Sequence, residues 1–267
     1  MSRPPPISVV VPTYREVANI PVLAERLFDT FDAAGLTGEL IFVDDNSQDG
    51  TEAAVHALTE TRPVRLIVRT TERGLSSAVL AGFAEAKHDV LVCMDADLSH
   101  PPESVPRLLE PLLRGDAELV IGSRYVAGGR TDDDWGLFRW LNSKIATLLA
   151  RPLTPVRDPM AGFFCLNRAT LERARAAGLN PIGYKIGLEI LIKARCRRVV
   201  EVPIDFADRL HGTSKLTMRQ QIEYLRHLAR LYHFRWPIAW PVALVLCTAA
   251  LVLVVKWTAG LFRGAPM

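Results

Sequence analysis

The chain has 267 residues, 49% of them hydrophobic and 23% charged, with a formal net charge of +3 and four cysteines. This length accommodates one catalytic domain of roughly 230 residues plus a tail, and the apolar content is too high for a disordered chain. Cys93, Cys165, Cys196 and Cys247 are scattered in mostly apolar company, without C-x-x-C or His-paired spacing, which argues against zinc or redox work and for reduced core residues.

The small net charge hides a division. Through Glu189 there are 20 Lys and Arg against 25 Asp and Glu, and from Ile190 onward 12 against 4, so an acidic front (−5) precedes a basic back (+8). A basic segment beside an apolar one suits an anionic membrane surface; a solvated basic helix face is the other reading.

In chain order, Met1 to Pro6 holds no apolar h-region, so no secretory signal is expected and the main domain is expected to be cytoplasmic. From Ile7, short β-rich apolar runs alternate with amphipathic ones. Strands are predicted at Ile7 to Val11, Leu40 to Val43, Val64 to Val68, Val90 to Met94 and Leu119 to Ile121, and helices at Ile20 to Phe31, Thr51 to Leu58, Ser76 to Ala86 and Val105 to Leu113. Such alternation predicts an α/β fold, a doubly wound, mainly parallel sheet with helices on both faces and ligands at the carboxyl ends of its strands.

Those strand ends carry Pro12-Thr13-Tyr14-Arg15-Glu16, then Asp44-Asp45-Asn46-Ser47, then Asp95, Asp97 and Ser99. Period-2 alternation would point Asp95 and Asp97 the same way, as a pair of hard oxygen ligands for Mg²⁺ or Mn²⁺ that leaves positions open to substrate phosphates. A solvated turn is the plain alternative for an isolated D-x-D. Neither G-x-G-x-x-G nor G-x-x-x-x-G-K-[ST] occurs, so neither a dinucleotide fingerprint nor a P-loop is indicated.

Beyond Ile121 the alternation is less regular, with helices predicted at Trp135 to Leu149 and Leu188 to Ala194 and strands at Gly162 to Leu166 and Val199 to Ile204. Met218, Ile222, Leu225, Ala229 and Tyr232 form one stripe of an amphipathic helix that also carries Arg219, Arg226 and Arg230. The stripe can pack on the domain or lie on a membrane surface. Ile238 to Val255 is an uncharged run of 18 residues flanked by Trp236, Trp240, Trp257, Arg235 and Lys256. At about 1.5 Å per residue it reaches roughly 27 Å, enough to read as a membrane anchor, and Pro237 and Pro241 leave a shallow re-entrant form open.

Eight motifs, VVVPTYRE, FVDDNSQDGT, RGLSSAVLAGF, MDADLSHPPE, IGSRYVAGG, DPMAGFF, LNPIGYKIGLEILIK and RLHGTSK, occur in order between Ile7 and about Tyr232. In this the chain resembles the inverting GT-A glycosyltransferases, and among them the polyprenol (dolichol) phosphate mannose synthases. The resemblance implies a GT-A catalytic domain over 1–216, an amphipathic juxtamembrane helix over 217–236, one C-terminal transmembrane helix over 237–257 and a short tail over 258–267. It implies transfer of mannose from GDP-mannose to a membrane-held polyprenyl or dolichyl phosphate with inversion, assisted by Mg²⁺ or Mn²⁺, with no nucleic-acid partner. Pro12, Tyr14, Glu16, Val43 and Asp45 then match a nucleoside pocket. Asp95, Ala96 and Asp97 match the metal and diphosphate site, with Ser99, where the family usually carries Gln, as third metal position. Arg124, Arg139 and Ser143 match positions that grip the acceptor phosphate, and Arg209 and Lys215 those that meet the phosphates from the opposite side; Asp95, Asp97, Arg124 and Arg139 are the candidate catalytic set.

Three rival readings stand beside this one. A polyprenyl phosphate glycosyltransferase using UDP-glucose or another nucleotide sugar keeps the class and changes the donor. An aspartyl-phosphate phosphatase or phosphotransferase would use Asp95 as nucleophile. The last is a membrane-tethered nucleotide-sugar binding module without catalysis.

Overall fold

The computed structural model describes residues 4–131, 137–180, 182–207 and 218–242, with 137–141 by backbone alone. Strands Ile7–Thr13 (β1), Gly38–Asp44 (β2), Val64–Val68 (β3) and Val90–Cys93 (β4) are all parallel, β1 lying between β2 and β4 with β3 outside β2. Parallel neighbours need crossovers, and helices Ile20–Ala34 (α1), Thr51–Thr59 (α2) and Leu75–Glu85 (α3) supply them. Val105–Leu113 (α4), Leu119–Ser123 (β5), Arg130–Thr131 (β6), Leu137–Ala150 (α5), Phe164–Asn167 (β7), Arg168–Ala176 (α6), Ile186–Lys193 (α7), Val199–Pro203 (β8), Asp205–Phe206 (β9) and Met218–Arg235 (α8) follow. The main sheet runs β3-β2-β1-β4-β7-β5-β8, and β6 and β9 form a separate parallel pair.

Alternation along β1 divides the core. Ile7, Val9 and Val11 face the layer of α1 and α4, while Val10 faces the layer of α3, α6, α7 and α8. Because both faces are covered, β1 and β2 read as nearly continuous apolar runs. Burying each of these large side chains stabilises the fold by about 1.5–3 kcal/mol. Gly82 lets α3 seat close on the sheet: a Cβ there would come within 2.9 Å of Val43 Cγ2 and still nearer to Val10.

Four features differ from expectation. β7 is antiparallel to both β4 and β5, its Cys165 lying opposite Val92 and Val120. Helix α6, the small pair β6–β9 and the short extent of β4 were not predicted. Since β4 ends at Cys93, Asp95 to Asp97 lie in the turn beyond it, with Leu98 at φ +62°. The alternation invoked for the two aspartates therefore does not apply, and it is the turn that orients them.

On α8 the buried residues are Tyr224, His227, Leu228 and Leu231, packed against the α3–α6–α7 layer. The predicted stripe lies on the other side: Met218, Ile222 and Leu225 are 71%, 47% and 53% exposed and Ala229 is exposed, with only Tyr232 half-buried. Packing on the domain thus uses a different face from the stripe. Tyr224 Oη donates to Ala146 O at 2.6 Å and Tyr232 Oη to Leu149 O at 2.8 Å, tying α8 to α5, whose Ile145, Leu148 and Leu149 are also exposed. Of the predicted anchor, 237–238 form a turn, 239–242 begin a helix and 243–257 lie outside the described residues. Among the described residues no helix is long and apolar enough to cross a membrane.

Candidate active site

The loops after β1 and β2 are joined by buried hydrogen bonds. Thr13 Oγ1 donates to Asp44 Oδ1 at 3.2 Å, Ser47 N–H to Asp44 Oδ2 at 2.8 Å, and Arg15 N–H to Ser47 Oγ at 2.7 Å. This bonding holds Arg15, Asn46 and Gln48 at φ between +53° and +60°. Such backbone costs about 1 kcal/mol or more per non-glycine residue and persists where surrounding contacts over-determine it, often at functional sites. Asp45 is 7% exposed and is held by Arg69, whose Nε donates to Oδ1 at 2.7 Å, and by Gly74 N–H, which donates to Oδ2 at 2.7 Å. Tyr14 carries the guanidinium groups of Arg15 and Arg73 at 5.2 and 5.4 Å from its ring centroid.

Beyond β4, Asp97 is 7% exposed and its Oδ1 accepts Ser99 N–H at 3.1 Å, whereas the Asp95 side chain is 32% exposed. The His100 ring is buried, stacked on Phe163 at 5.3 Å, and its Nδ1 accepts Asp95 N–H at 3.0 Å. Burial lowers the His100 pKa against the pull of Asp95 and Asp97, and Arg124 lowers it further. The ring is therefore neutral at pH 7, with the proton on Nε2. His100 then gives no positive charge to Asp95, although its Nδ1 lies 3.7 Å from Oδ2. No other cation among the described residues forms an ion pair with Asp95. Gly162 keeps the space clear, because a Cβ there would lie 3.2 Å from both Asp95 carboxylate oxygens.

The opposite side is cationic. Arg124 Nε and Nη2 each donate to Asp158 at 2.8 Å, and Arg124 N–H adds a bond of 3.0 Å. Asp158 has no exposed surface. Burial would raise its carboxyl, but Arg124 outweighs burial and holds it below the usual range. Lys185 Nζ donates to Met160 O at 2.6 Å. Burial, with Arg124 adding to it, lowers Lys185 to about 8.

These groups surround one cavity of about 700 Å³. Its wall brings together Pro12, Tyr14, Glu16, Asp45, Asp95, Ala96, Asp97 and Arg124 from the predicted set. Val43 is elsewhere, fully buried under Gly82, because its place within β2 turns it to the core. Ser99 is buried outside the wall, its Oγ without a hydrogen-bond partner among the described residues. Ser143 Oγ lies 2.9 Å from Tyr125 Oη, also outside the wall. Arg209, Lys215 and the Arg139 side chain lie outside the described residues. The wall also includes Arg73, His100, Tyr184, Lys185, Arg219 and Gln220, none of which the sequence reading assigned to the site. Arg73, His100, Tyr184 and Lys185 sit inside quoted motifs, which is the one signal that could have raised them.

The arrangement is a GT-A-like α/β fold with a mostly parallel central sheet and an acidic pair at its carboxyl edge. The chain belongs to glycosyl transferase family 2, whose pattern its residues 8–174 match. It is 48% identical over 241 residues to the dolichol-phosphate mannosyltransferase of Saccharomyces cerevisiae, covering 86% of this chain and 88% of that one. It is 46% identical over 231 residues to the enzyme of the same name from Pyrococcus furiosus, covering 84% of this chain and 63% of that longer one. A third, from Mycosarcoma maydis, is 42% identical over 264 residues, with 96% and 89% covered. Among solved structures, glucosyl-3-phosphoglycerate synthase from Mycobacterium tuberculosis, in complex with Mn²⁺, uridine diphosphate and phosphoglyceric acid, superposes with a TM-score of 0.61 at 23% identity, over 86% of this chain and 78% of that one. Mannosyl-3-phosphoglycerate synthase from Rubrobacter xylanophilus gives 0.63 at 18% identity, over 85% and 74%. These two share the fold.

Proposed function

We propose that this protein transfers mannose from GDP-mannose to dolichyl or another polyprenyl phosphate, giving an inverted, β-linked lipid-phosphate mannose. The observation that carries this reading is the extent of the likeness to the three dolichol-phosphate mannosyltransferases, which reaches 96% of the chain in one of them. The cavity suits the chemistry. A phosphate monoester has a second pKa near 6, so the acceptor is mostly dianionic at neutral pH and needs no general base. The protein's task is to bring two anionic groups together, and the wall supplies Arg124 and Lys185 for that purpose. Arg124 lines the cavity with its guanidinium oriented by Asp158, and a planar guanidinium suits phosphate oxygens. Tyr14, Glu16 and Asp45 form the nucleoside end.

Asp95 and Asp97 fit a hard divalent cation: among the described residues no Lys or Arg forms an ion pair with Asp95, and Gly162 leaves room beside its carboxylate. Among the described residues no three His, Cys, Asp or Glu side chains form a closed cage. When bound, Mg²⁺ or Mn²⁺ would offset the charge of the departing nucleoside diphosphate.

The domain limits, 1–216 for catalysis, 217–236 for the juxtamembrane helix and 237–257 for an anchor, belong to the same proposal, as does a cytoplasmic catalytic domain held at a membrane. The exposed apolar rows of α8 and α5, flanked by exposed Arg226 and Arg230, support a membrane-facing side. The test is to incubate purified protein with Mn²⁺ or Mg²⁺, polyprenyl phosphate and GDP-mannose or UDP-glucose, then read the lipid product and its anomeric configuration by NMR. Mannosyl transfer with inversion is expected. Glucosyl transfer in its place would overturn the donor assignment, and a retained configuration the single displacement.

A further inference from the structure

Glu189 is a carboxylate with 1% exposure in the first turn of a helix otherwise packed into the apolar layer. Its Oε1 accepts Asn180 N–H at 2.7 Å and lies 2.9 Å from Lys193 Nζ; its Oε2 lies 3.3 Å from Nε2 of His227, which is 2% exposed on α8, a close approach of two buried polar atoms that have no hydrogen-bond partner among the described residues. Burial would raise the Glu189 carboxyl, but His227, Lys193 and the Asn180 N–H together hold it below its usual range. Leucine would fill this place without the desolvation that a buried carboxylate suffers.

What Glu189 does that leucine cannot is join two parts of the cavity wall. Asn180 opens the segment that carries Tyr184 and Lys185 into the cavity. His227 lies two turns along α8 from Arg219 and Gln220, which line the same cavity. The two parts also meet directly, since Gly183 faces Glu223 of α8. The approach of Glu189 to His227 acts beside the Tyr224 and Tyr232 bonds to α5 in setting the rotation and axial register of α8, because a slip would carry the buried carboxylate away from the polar atom that faces it. With His227 turned inward, Met218, Ile222 and Leu225 are turned outward.

We propose that Glu189 and His227 are positioning residues: their contact sets the rotation of α8, and so the placing of the cavity wall relative to a bilayer that presents the lipid acceptor. The proposal rests on the transferase reading above for its kinetic consequence, and on geometry alone for its structural one. The decisive comparison uses the full-length protein in vesicles of phosphatidylcholine and phosphatidylglycerol, as wild type and as the variants Glu189→Gln, His227→Leu and His227→Gln. Glu189→Gln and His227→Leu are expected to raise the apparent KM for polyprenyl phosphate about tenfold while the donor KM stays within twofold. His227→Gln, which keeps a donor, is expected to recover most of the loss. Equal rises in both KM values, no change in either, or no recovery in His227→Gln would overturn it.

Hydrogen exchange gives a readout that needs no turnover. In Glu189→Gln the Asn180 amide and the amides of α8 should exchange at least tenfold faster, with β1 and β4 unchanged. Uniform acceleration across the sheet, or none at Asn180 and α8, would overturn the proposal. If wild type fails to mannosylate any polyprenyl phosphate while the exchange result holds, the functional reading fails and the positioning contact stands.

Discussion

Asp158 holds Arg124 by three hydrogen bonds, two from the guanidinium at 2.8 Å and one from the backbone N–H at 3.0 Å, and no part of Asp158 reaches solvent. The backbone bond fixes the start of the loop after β5 and the side-chain bonds fix the direction of the guanidinium, so one carboxylate sets both. Glu201 steadies it in turn, accepting Arg157 N–H at 2.8 Å and Asp158 N–H at 2.9 Å.

Replacing Asp158 by Asn should therefore destabilise the protein by about 3–5 kcal/mol, the usual effect of leaving one member of a buried pair without its partner. Arg124 holds the Asp158 carboxyl below its ordinary value, so this stabilisation is present above the unfolded-state pKa of about 3.9 and is lost as pH falls through the lower folded value. Urea melts from pH 7 down to pH 3 should show that loss in wild type and lack it in Asp158→Asn.

Lys185 predicts a trend at the alkaline end. Its folded value of about 8 lies below the unfolded value of 10.5, so between those limits the unfolded chain binds more protons and stability rises with pH. Denaturation curves at pH 8 and pH 10 should differ less for Lys185→Met than for wild type. In the free enzyme, kcat/KM should fall above pH 8 as the ammonium deprotonates, and Lys185→Arg should move that limb upward.

Asp97→Ala should reduce turnover at least about 100-fold, since a cation's charge stabilisation is worth several kcal/mol. The fold should survive, because Asp97 lies in the turn beyond β4 and outside the apolar core, and the loss of its bond from Ser99 N–H is worth about 1 kcal/mol. Circular dichroism and titration with Mn²⁺ in the presence of GDP check the two halves. Wild-type turnover persisting in EDTA would exclude the metal role.

Gly162→Ala tests the space beside Asp95. The added methyl would sit 3.2 Å from both carboxylate oxygens and 3.3 Å from His100 Cε1, tighter than an ordinary contact. Turnover should fall about tenfold or more by displacement of the carboxylate, as small misplacements at a reacting centre do. The thermal midpoint should move by only a few degrees, as His100 and Asp95 can each shift slightly.

Sequence alone determined the alternation of strands and helices, the parallel first half of the sheet and the set of polar residues following each strand. The reason is that β1, β2 and β4 are covered on both faces and their helices on one, which leaves periods that can be read along a chain. It missed α6 because Arg168 to Ala176 has a thin apolar face, chiefly Leu171 and Ala174, although Asn167 caps it by accepting Thr170 N–H at 2.8 Å. It also placed Val43 at the site, when its position inside β2 turns it to the core. Only the tertiary structure decided the antiparallel seat of β7, the burial of Asp158 against Arg124, the entry of Lys185 into the cavity and the face on which α8 packs. Strand direction and partner choice depend on contacts between residues far apart in the chain, and no local period records them. The stripe on α8 was visible in the sequence, but which way it faced was not, because His227 meets Glu189 only once both helices are packed.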